Sequence, residues 1–114
     1  MTYPKNNHQH YHAHVYFERE NSDFAYGIRE HASQVMGLVV GNFNKKLVGP
    51  HLHWSFSIDF SHMEFDAVIE WLEEARQDLS VLIHAVTDNE YKDHTEYASW
   101  LGQPLPLKLS IFES

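Results

Sequence analysis

The sequence predicts an α+β domain whose elements follow the order β-α-β-β-α-β. Three observations support this: some stretches alternate apolar and polar side chains, others repeat apolar residues at helical spacing, and capping or turn residues separate them. This order is the split βαβ or ferredoxin-like pattern, an antiparallel sheet with the first strand between the third and fourth and both helices on one face. We expect one domain over residues 1–114, with residues 1–9 loose.

The first predicted strand, residues 11–17, carries an unusual set of side chains. Because side chains alternate faces along a strand, His12, His14 and Tyr16 share one side while apolar residues occupy the other. Neutral imidazole is a common ligand of iron, zinc and copper. This strand is therefore a candidate metal-binding element.

The next three elements follow from capping residues and periodicity. An amphipathic helix is predicted over residues 21–37, because capping residues precede it, apolar residues recur at helical spacing and a glycine ends it. Residues 38–43 are predicted as a second strand that leads through a polar turn into the third. Residues 51–60 alternate without a break and give the clearest strand pattern, with His51 and Asp59 on its polar face.

The second half of the chain repeats the helix-then-strand order. A capping box begins a second amphipathic helix over residues 61–78. Residues 79–86 are predicted as a fourth strand, with His84 on the face away from the helices. A short third helix is predicted over residues 89–101, followed by a C-terminal fifth strand over residues 107–112.

Composition argues against several classes of function. Sixteen acidic and eight basic residues give a formal net charge of −8, whereas binding to nucleic acid or an anionic membrane needs clustered Lys and Arg. The chain has no cysteine, so a bound metal needs nitrogen and oxygen ligands. No apolar run is long enough to cross a bilayer and no signal-peptide core is recognisable, so we expect a cytoplasmic protein.

The predicted topology places the histidines of three strands on the sheet face that the helices leave open. Cross-strand neighbours lie about 4.5 to 5.5 Å apart, so His12 or His14 can share one ion with His84. An undistorted third strand carries His51 toward Tyr16 instead. Three alternatives remain for His51: a loop position, a site completed across a dimer, or no role as a ligand. The open face needs a cover, either the remaining chain or a second subunit.

Four short motifs follow one another along the chain: His12-Ala13-His14-Val15-Tyr16-Phe17, Gly49-Pro50-His51 with Trp54, Leu79-Ser80-Val81-Leu82-Ile83-His84, and Asp93-His94-Thr95 with Trp100-Leu101-Gly102. Together they resemble the Dopa 4,5-dioxygenase family, over about residues 10–109. The resemblance implies a ferredoxin-like homodimer that opens the ring of a catechol such as L-DOPA with O₂ at a non-haem iron(II) centre. Two features depart from the family pattern: Leu52 and Ala85 stand where proline is expected, and His53 is an additional histidine.

The resemblance also implies roles for individual residues. It points to a pool of four metal-ligating histidines: His12, His14, His51 and His84. It points to His94 as the acid/base group, and Tyr16 on the histidine face is a second catalytic candidate. Iron(II) is the expected metal, and zinc or another divalent ion can replace it in a purified sample. Asp59 and Asp93 are candidates for a carboxylate ligand, and an all-histidine site is equally open.

Two other functions are compatible with the same residues. One is a non-catalytic dimer that binds a metal or small ligand on the same scaffold, because one fold serves many functions. The other is a zinc-dependent hydrolase or isomerase that uses the same nitrogen ligands. Oxygen uptake with a catechol distinguishes the dioxygenase from both.

Overall fold

The computed structural model describes residues 3–112, in which five strands form one antiparallel sheet. In chain order the strands and α-helices are β1 (His10–Phe17), α1 (Ser22–Glu30), β2 (Val39–Val40), β3 (Trp54–Ser61), α2 (Phe65–Ala75), β4 (Val81–Ala85), α3 (Glu90–Asp93) and β5 (Ala98–Leu101). The strand order across the sheet is β2-β3-β1-β4-β5. The predicted α+β, ferredoxin-like fold is confirmed, including the place of the first strand between the third and fourth.

The hydrophobic core lies between one face of the sheet and the helices α1 and α2. Apolar side chains alternate along the strands and recur at helical spacing in the helices, so each element turns one face inward. The buried side chains include Ala13, Val15, Ile28, Phe56, Ile58, Val68, Leu72, Val81 and Ile83. Because the core takes one face of each strand, the histidines of β1 and β4 are left on the other.

Both long helices lie within their predicted ranges but are shorter, and the N-cap of α2 is Glu64 rather than the predicted Ser61. The predicted capping-box residues instead order the turn that joins β3 to α2: the Ser61 N–H donates to Glu64 Oε1 over 2.9 Å, and the Met63 N–H donates to Ser61 Oγ over 3.2 Å. After α1 the chain continues as a π-helical turn over His31–Val35, and Gly37 ends it with a φ of +69°.

The fifth strand lies earlier in the chain than predicted. The helix predicted over residues 89–101 is limited to α3, and residues 98–101 instead pair with β4 as β5. The strand predicted over residues 107–112 is also wrong, because Leu107 makes one isolated bridge and Leu109–Phe112 form a 3₁₀ helix. A segment as short and apolar as residues 98–101 is compatible with both helical and strand periodicity. It forms a strand because the edge of β4 is otherwise unpaired.

The second and third strands are shorter than predicted, and this moves His51. Residues 38–43 pair regularly only at Val39–Val40, and β3 begins at Trp54 rather than at His51. His51 therefore lies on the loop before β3, where it makes an isolated antiparallel bridge with Leu107. Of the three alternatives for His51, the structure shows the loop position.

The sheet face away from the helices carries a row of cross-strand neighbours. From one edge to the other these are Val39, Asp59, His12, His84 and Ala98. The C-terminal segment covers part of this face, since Leu107 bridges to His51 and the Phe112 ring stacks on His94. The remaining chain, one of the two expected covers, thus lies over His51 and His94.

The N-terminal segment contacts the fold although it forms no regular element. Within residues 3–9, Pro4 is buried and the His8 N–H donates to Tyr11 Oη over 2.7 Å. Residues 1–2, which belong to the segment expected to be loose, lie outside the described residues. Within residues 3–112 no helix is both long and apolar enough to cross a membrane.

Removing a core side chain of α2 tests this packing. Leu72 is fully buried, so we expect Leu72→Ala to lower the free energy of unfolding by about 2–5 kcal/mol, from lost burial and the cavity left behind. The matched control is Glu74→Ala on the exposed side of the same helix, expected to change stability by less than about 0.5 kcal/mol. Urea unfolding measures both, and equal effects would contradict the core described above.

Candidate metal centre

Three histidines from two adjacent strands converge on the open face of the sheet. His12 and His84 are cross-strand partners, and His14 follows two residues later on the same side of β1. Each residue offers one ring nitrogen, and the three atoms lie within 4.8 Å of one another. The structure thus brings together three of the four predicted ligands on one side of a possible ion.

The spacing of two of these nitrogens fits a shared metal ion. His14 Nε2 and His84 Nε2 lie 2.9 Å apart. Two nitrogens bound to one ion at about 2.1 Å stand about 3 Å apart when their bonds make a right angle. The donor set is all nitrogen, which suits iron, zinc or copper better than magnesium or calcium.

Burial keeps these imidazoles in the neutral form that binds metals. His84 is 4% exposed, and burial is the main reason that its pKa falls from 6.5 to about 3, against the opposing effect of a hydrogen bond to Ala85. The pKa of His14 is lowered well below its usual value, mainly by burial and then by the neighbouring His51 and His84. Both rings are therefore uncharged at neutral pH.

Two of the three rings are oriented by a group that contacts one of their ring nitrogens, here called an outer partner. The His84 Nδ1–H donates to the Ala85 carbonyl over 2.7 Å, which leaves the Nε2 lone pair free to bind an ion. His12 Nε2 lies 3.2 Å from Asp59 Oδ1 on the neighbouring strand. A carboxylate or carbonyl on the second nitrogen is the usual support of a metal-bound histidine.

His94, the predicted acid/base group, lies beside the three converging histidines. Its ring centroid is 4.2 Å from that of His84, and its other neighbour is the Phe112 ring at 4.6 Å. The His94 Nδ1–H donates to the Glu90 carbonyl over 2.8 Å, so its Nε2 carries a lone pair. This position agrees with a role next to the metal, and the role itself stays a prediction.

His51 and Tyr16 form a buried pair on the other side of His14. The His14 and His51 ring centroids are 4.2 Å apart, and Tyr16 Oη lies 2.6 Å from His51 Nδ1. Burial, and secondarily His94, lower the pKa of His51 from 6.5 to about 4. Burial also raises the pKa of Tyr16 above its usual value of 10. His51 thus lies beside the cluster but outside the set of three converging nitrogens.

The two carboxylate candidates have different positions. Asp93 is 2% exposed, and its oxygens accept from the Thr87 N–H over 2.9 Å and from the Thr87 Oγ–H over 2.6 Å. Its carboxylate is thereby occupied in shaping the loop after β4. Asp59 lies on the histidine face next to His12, although it is not one of the three converging groups.

The cluster is open on the side of His12. The His12 side chain is 34% exposed, and beside it lies a trough of about 390 Å³, lined in part by Val39, Asp59 and Val86. Trp100 stacks on Tyr16 at 5.9 Å on the other side. The sequence predicts neither this contact nor that of Phe112 with His94, because no local pattern indicates that these segments return to this face.

Comparison with known proteins agrees with this fold. The family model described as "Dopa 4,5-dioxygenase family" matches residues 11–111. The structure is similar to a crystal structure of a candidate dioxygenase from Nostoc punctiforme, with a TM-score of 0.85 and 33% identity over 90% of this chain and 89% of that one.

Two fungal relatives are similar in sequence over 110 residues. An uncharacterized 21.2 kDa protein of Botryotinia fuckeliana is 33% identical over 86% of this chain and 60% of its own length. A DOPA 4,5-dioxygenase of Amanita muscaria is 28% identical over 88% of this chain and 48% of its own length. The chain therefore spans only about half to three fifths of these relatives.

Acid should destabilise the metal-free protein. In the folded state the pKa values of His51 and His84 are about 4 and 3, below the ordinary 6.5 of an unfolded chain. Below pH 6.5 the unfolded state binds more protons, so the free energy of unfolding falls, by up to about 1.4 kcal/mol per pH unit and group. Urea unfolding in chelator between pH 8 and pH 5 measures this. Stability should be level above about pH 7.5 and decline below 6.5; a rise on acidification would contradict it.

Loss of one converging histidine should weaken metal binding. Mutating a group that only hydrogen-bonds to a metal ligand lowers metal affinity by about 10- to 100-fold. His84→Ala removes a ligand itself, so we expect it to lower the Zn²⁺ affinity by about 100-fold or more. The control is His62→Ala, an exposed turn histidine outside the cluster, with no change expected. Titration calorimetry at neutral pH measures both, and equal affinity of His84→Ala and the unchanged protein would exclude His84 as a ligand.

Proposed function

The chain belongs to the Dopa 4,5-dioxygenase family, and from that membership we propose that it is an iron(II)-dependent extradiol dioxygenase that opens a catechol such as L-DOPA with O₂. The observation that carries the proposal is the convergence of His12, His14 and His84. The similar structure from Nostoc punctiforme, named as a candidate dioxygenase, supports an oxygenase on this scaffold.

The donor set suits the chemistry of ring cleavage. His12, His14 and His84 would hold an iron(II) ion, and when bound that ion would supply the redox chemistry with O₂ that ring cleavage needs. His14 and His84 are neutral at neutral pH because burial lowers the pKa of both rings, so these two need no proton loss to act as donors. The trough beside His12 is of the size that small ligands occupy, and Val39 and Val86 give it apolar walls.

Two further side chains have proton chemistry that fits this reaction. His94 presents the lone pair of Nε2, because its Nδ1–H is donated to Glu90, and it is placed to accept a proton from a catechol hydroxyl. Tyr16 stays protonated at neutral pH, since burial raises its pKa, and so it does not serve as a base. We assign Tyr16 the role of orienting His51 through their hydrogen bond.

A zinc-dependent hydrolase or isomerase is the second candidate. Three protein ligands with an open position are also the arrangement of catalytic zinc sites, and the three converging histidines supply them.

A homodimer also stays a prediction: Val39 and Val86 beside the trough are exposed apolar residues that a second subunit would cover. Sedimentation at working concentration tests the dimer.

Oxygen uptake separates these functions. We expect the protein, loaded anaerobically with Fe(II), to consume O₂ with L-DOPA or a simpler catechol and to form a yellow ring-opened product. The zinc-loaded protein should be inactive, because zinc has no redox chemistry. His84→Ala should lose turnover while its circular dichroism spectrum is unchanged, and His62→Ala should keep full activity.

The opposite result is equally clear. If iron binding is confirmed and no catechol supports oxygen uptake, the extradiol proposal is wrong. Hydrolysis or isomerisation by the zinc-loaded protein would then favour the second candidate.

A further inference from the structure

Hydrogen bonds to neighbouring groups determine which ring nitrogen of each histidine at the candidate metal centre keeps its lone pair. His84 and His94 each have Nδ1 on a backbone carbonyl, at 2.7 and 2.8 Å. A carbonyl oxygen only accepts hydrogen bonds, so in both rings Nδ1 carries the proton and Nε2 carries the lone pair. The outer partner thus decides what each ring offers to the site.

The outer partner of His51 is a hydroxyl group, which can either donate or accept. Tyr16 Oη lies 2.6 Å from His51 Nδ1, and among residues 3–112 that hydroxyl has no other hydrogen-bond partner. Tyr16 is 4% exposed, so water is largely excluded. If Tyr16 accepted from His51, its own proton would be buried without an acceptor, at a cost of about 1–3 kcal/mol. Tyr16 therefore donates, and His51 Nδ1 accepts.

This direction of the hydrogen bond sets the tautomer of His51. A neutral imidazole that accepts at Nδ1 carries its proton on Nε2. A nitrogen that bears a proton has no lone pair for a metal ion, and the only lone pair of His51 is already used by Tyr16. We propose that His51 is a hydrogen-bond donor beside the metal centre rather than a ligand, and that Tyr16 is the positioning residue that holds it in this tautomer.

The surroundings of the pair keep it in place. The His51 backbone bridges to Leu107, and the Lys108 N–H donates to the Pro50 carbonyl over 2.8 Å. On the other side the Trp100 ring stacks on Tyr16. The His51 ring lies against His14, with 4.2 Å between the ring centroids, so His51 lies beside the three converging histidines.

The site then has two different sides. His94 next to His84 offers an acceptor, and His51 next to His14 offers a donor. A catecholate has one oxygen that still bears a proton and one that is charged, and these suit an acceptor and a donor respectively. This part of the inference rests on the function proposed above; the tautomer and the ligand set do not.

Zinc binding tests the ligand set without any need for activity. We expect His51→Ala to keep the Zn²⁺ affinity within about threefold, whereas His84→Ala loses about 100-fold or more and His62→Ala loses nothing. His51→Gln, which keeps an N–H near the position of Nε2, gives the same reading should the alanine variant fold poorly. A loss of tenfold or more in both His51 variants overturns the proposal.

Nitrogen-15 NMR of the imidazole rings in the zinc-loaded protein tests the tautomer. We expect the proton of His51 on Nε2, with Nδ1 free of both proton and metal, and a mixture of tautomers in Tyr16→Phe. A proton on Nδ1 of His51, or a zinc-bound nitrogen in that ring, overturns the proposal.

Activity tests the role of the donor in the iron-loaded enzyme. We expect His51→Ala to lower kcat about 100-fold, the usual effect of removing a donor to a charged oxygen, and His51→Gln to recover at least tenfold of it. Equal activity of His51→Ala and the unchanged protein overturns the donor role. If the unchanged protein itself consumes no O₂, the proposed function fails, and the zinc and NMR results still decide the state of His51.

Discussion

The antiparallel pairing of β1 with β4 is the constraint on which the rest of the site depends. Its register sets His12 opposite His84, and the alternation of side chains brings His14 to the same face. The register is held by the core, because Ala13 and Ile83, which pair next to them, are buried under the helices. A slip of one residue would turn every histidine into the core. The packing that stabilises the fold therefore also fixes the distances among the donors.

Burying imidazoles on this face creates a second constraint. A buried ring nitrogen without a partner is costly, and no buried side-chain nitrogen or oxygen in residues 3–112 lacks a hydrogen bond. The partners that meet this need are the carbonyl groups of Ala85 and Glu90 and the hydroxyl of Tyr16. A carbonyl only accepts, and the Tyr16 hydroxyl has no other partner among residues 3–112, so the bonds that make burial tolerable also select the nitrogen that faces the site. Stability and ligand selection are thus two results of the same contacts.

The sequence predicts the site correctly where the alternation of side chains along a strand and the strand order of the predicted topology point to the same face. Alternation placed His12, His14 and His84 on one face, and the topology made their strands neighbours, so this part of the site could be predicted. The position of His51 could not, because the alternating pattern of residues 51–60 continues across the point at which the chain leaves the sheet. β5 was missed for a related reason: residues 98–101 become a strand only because the edge of β4 is free to pair with them. Phe112 reaches His94 through the same tertiary return of the chain.

Two of the three residues that depart from the family pattern, Ala85 and His53, can be judged on the same physical grounds. Ala85 stands where proline is expected, and a proline there would keep the carbonyl that accepts from His84 while losing the backbone N–H. In this chain that N–H donates to the Tyr97 carbonyl over 3.2 Å, which extends the contact between β4 and the segment leading into β5. The exchange therefore adds a backbone hydrogen bond at the edge of the sheet and keeps the carbonyl that accepts from His84. The ring centroid of His53, the additional histidine, lies 6.0 Å from that of Tyr16, and His53 is not one of the three converging histidines. Neither of these two departures removes one of the three converging histidines.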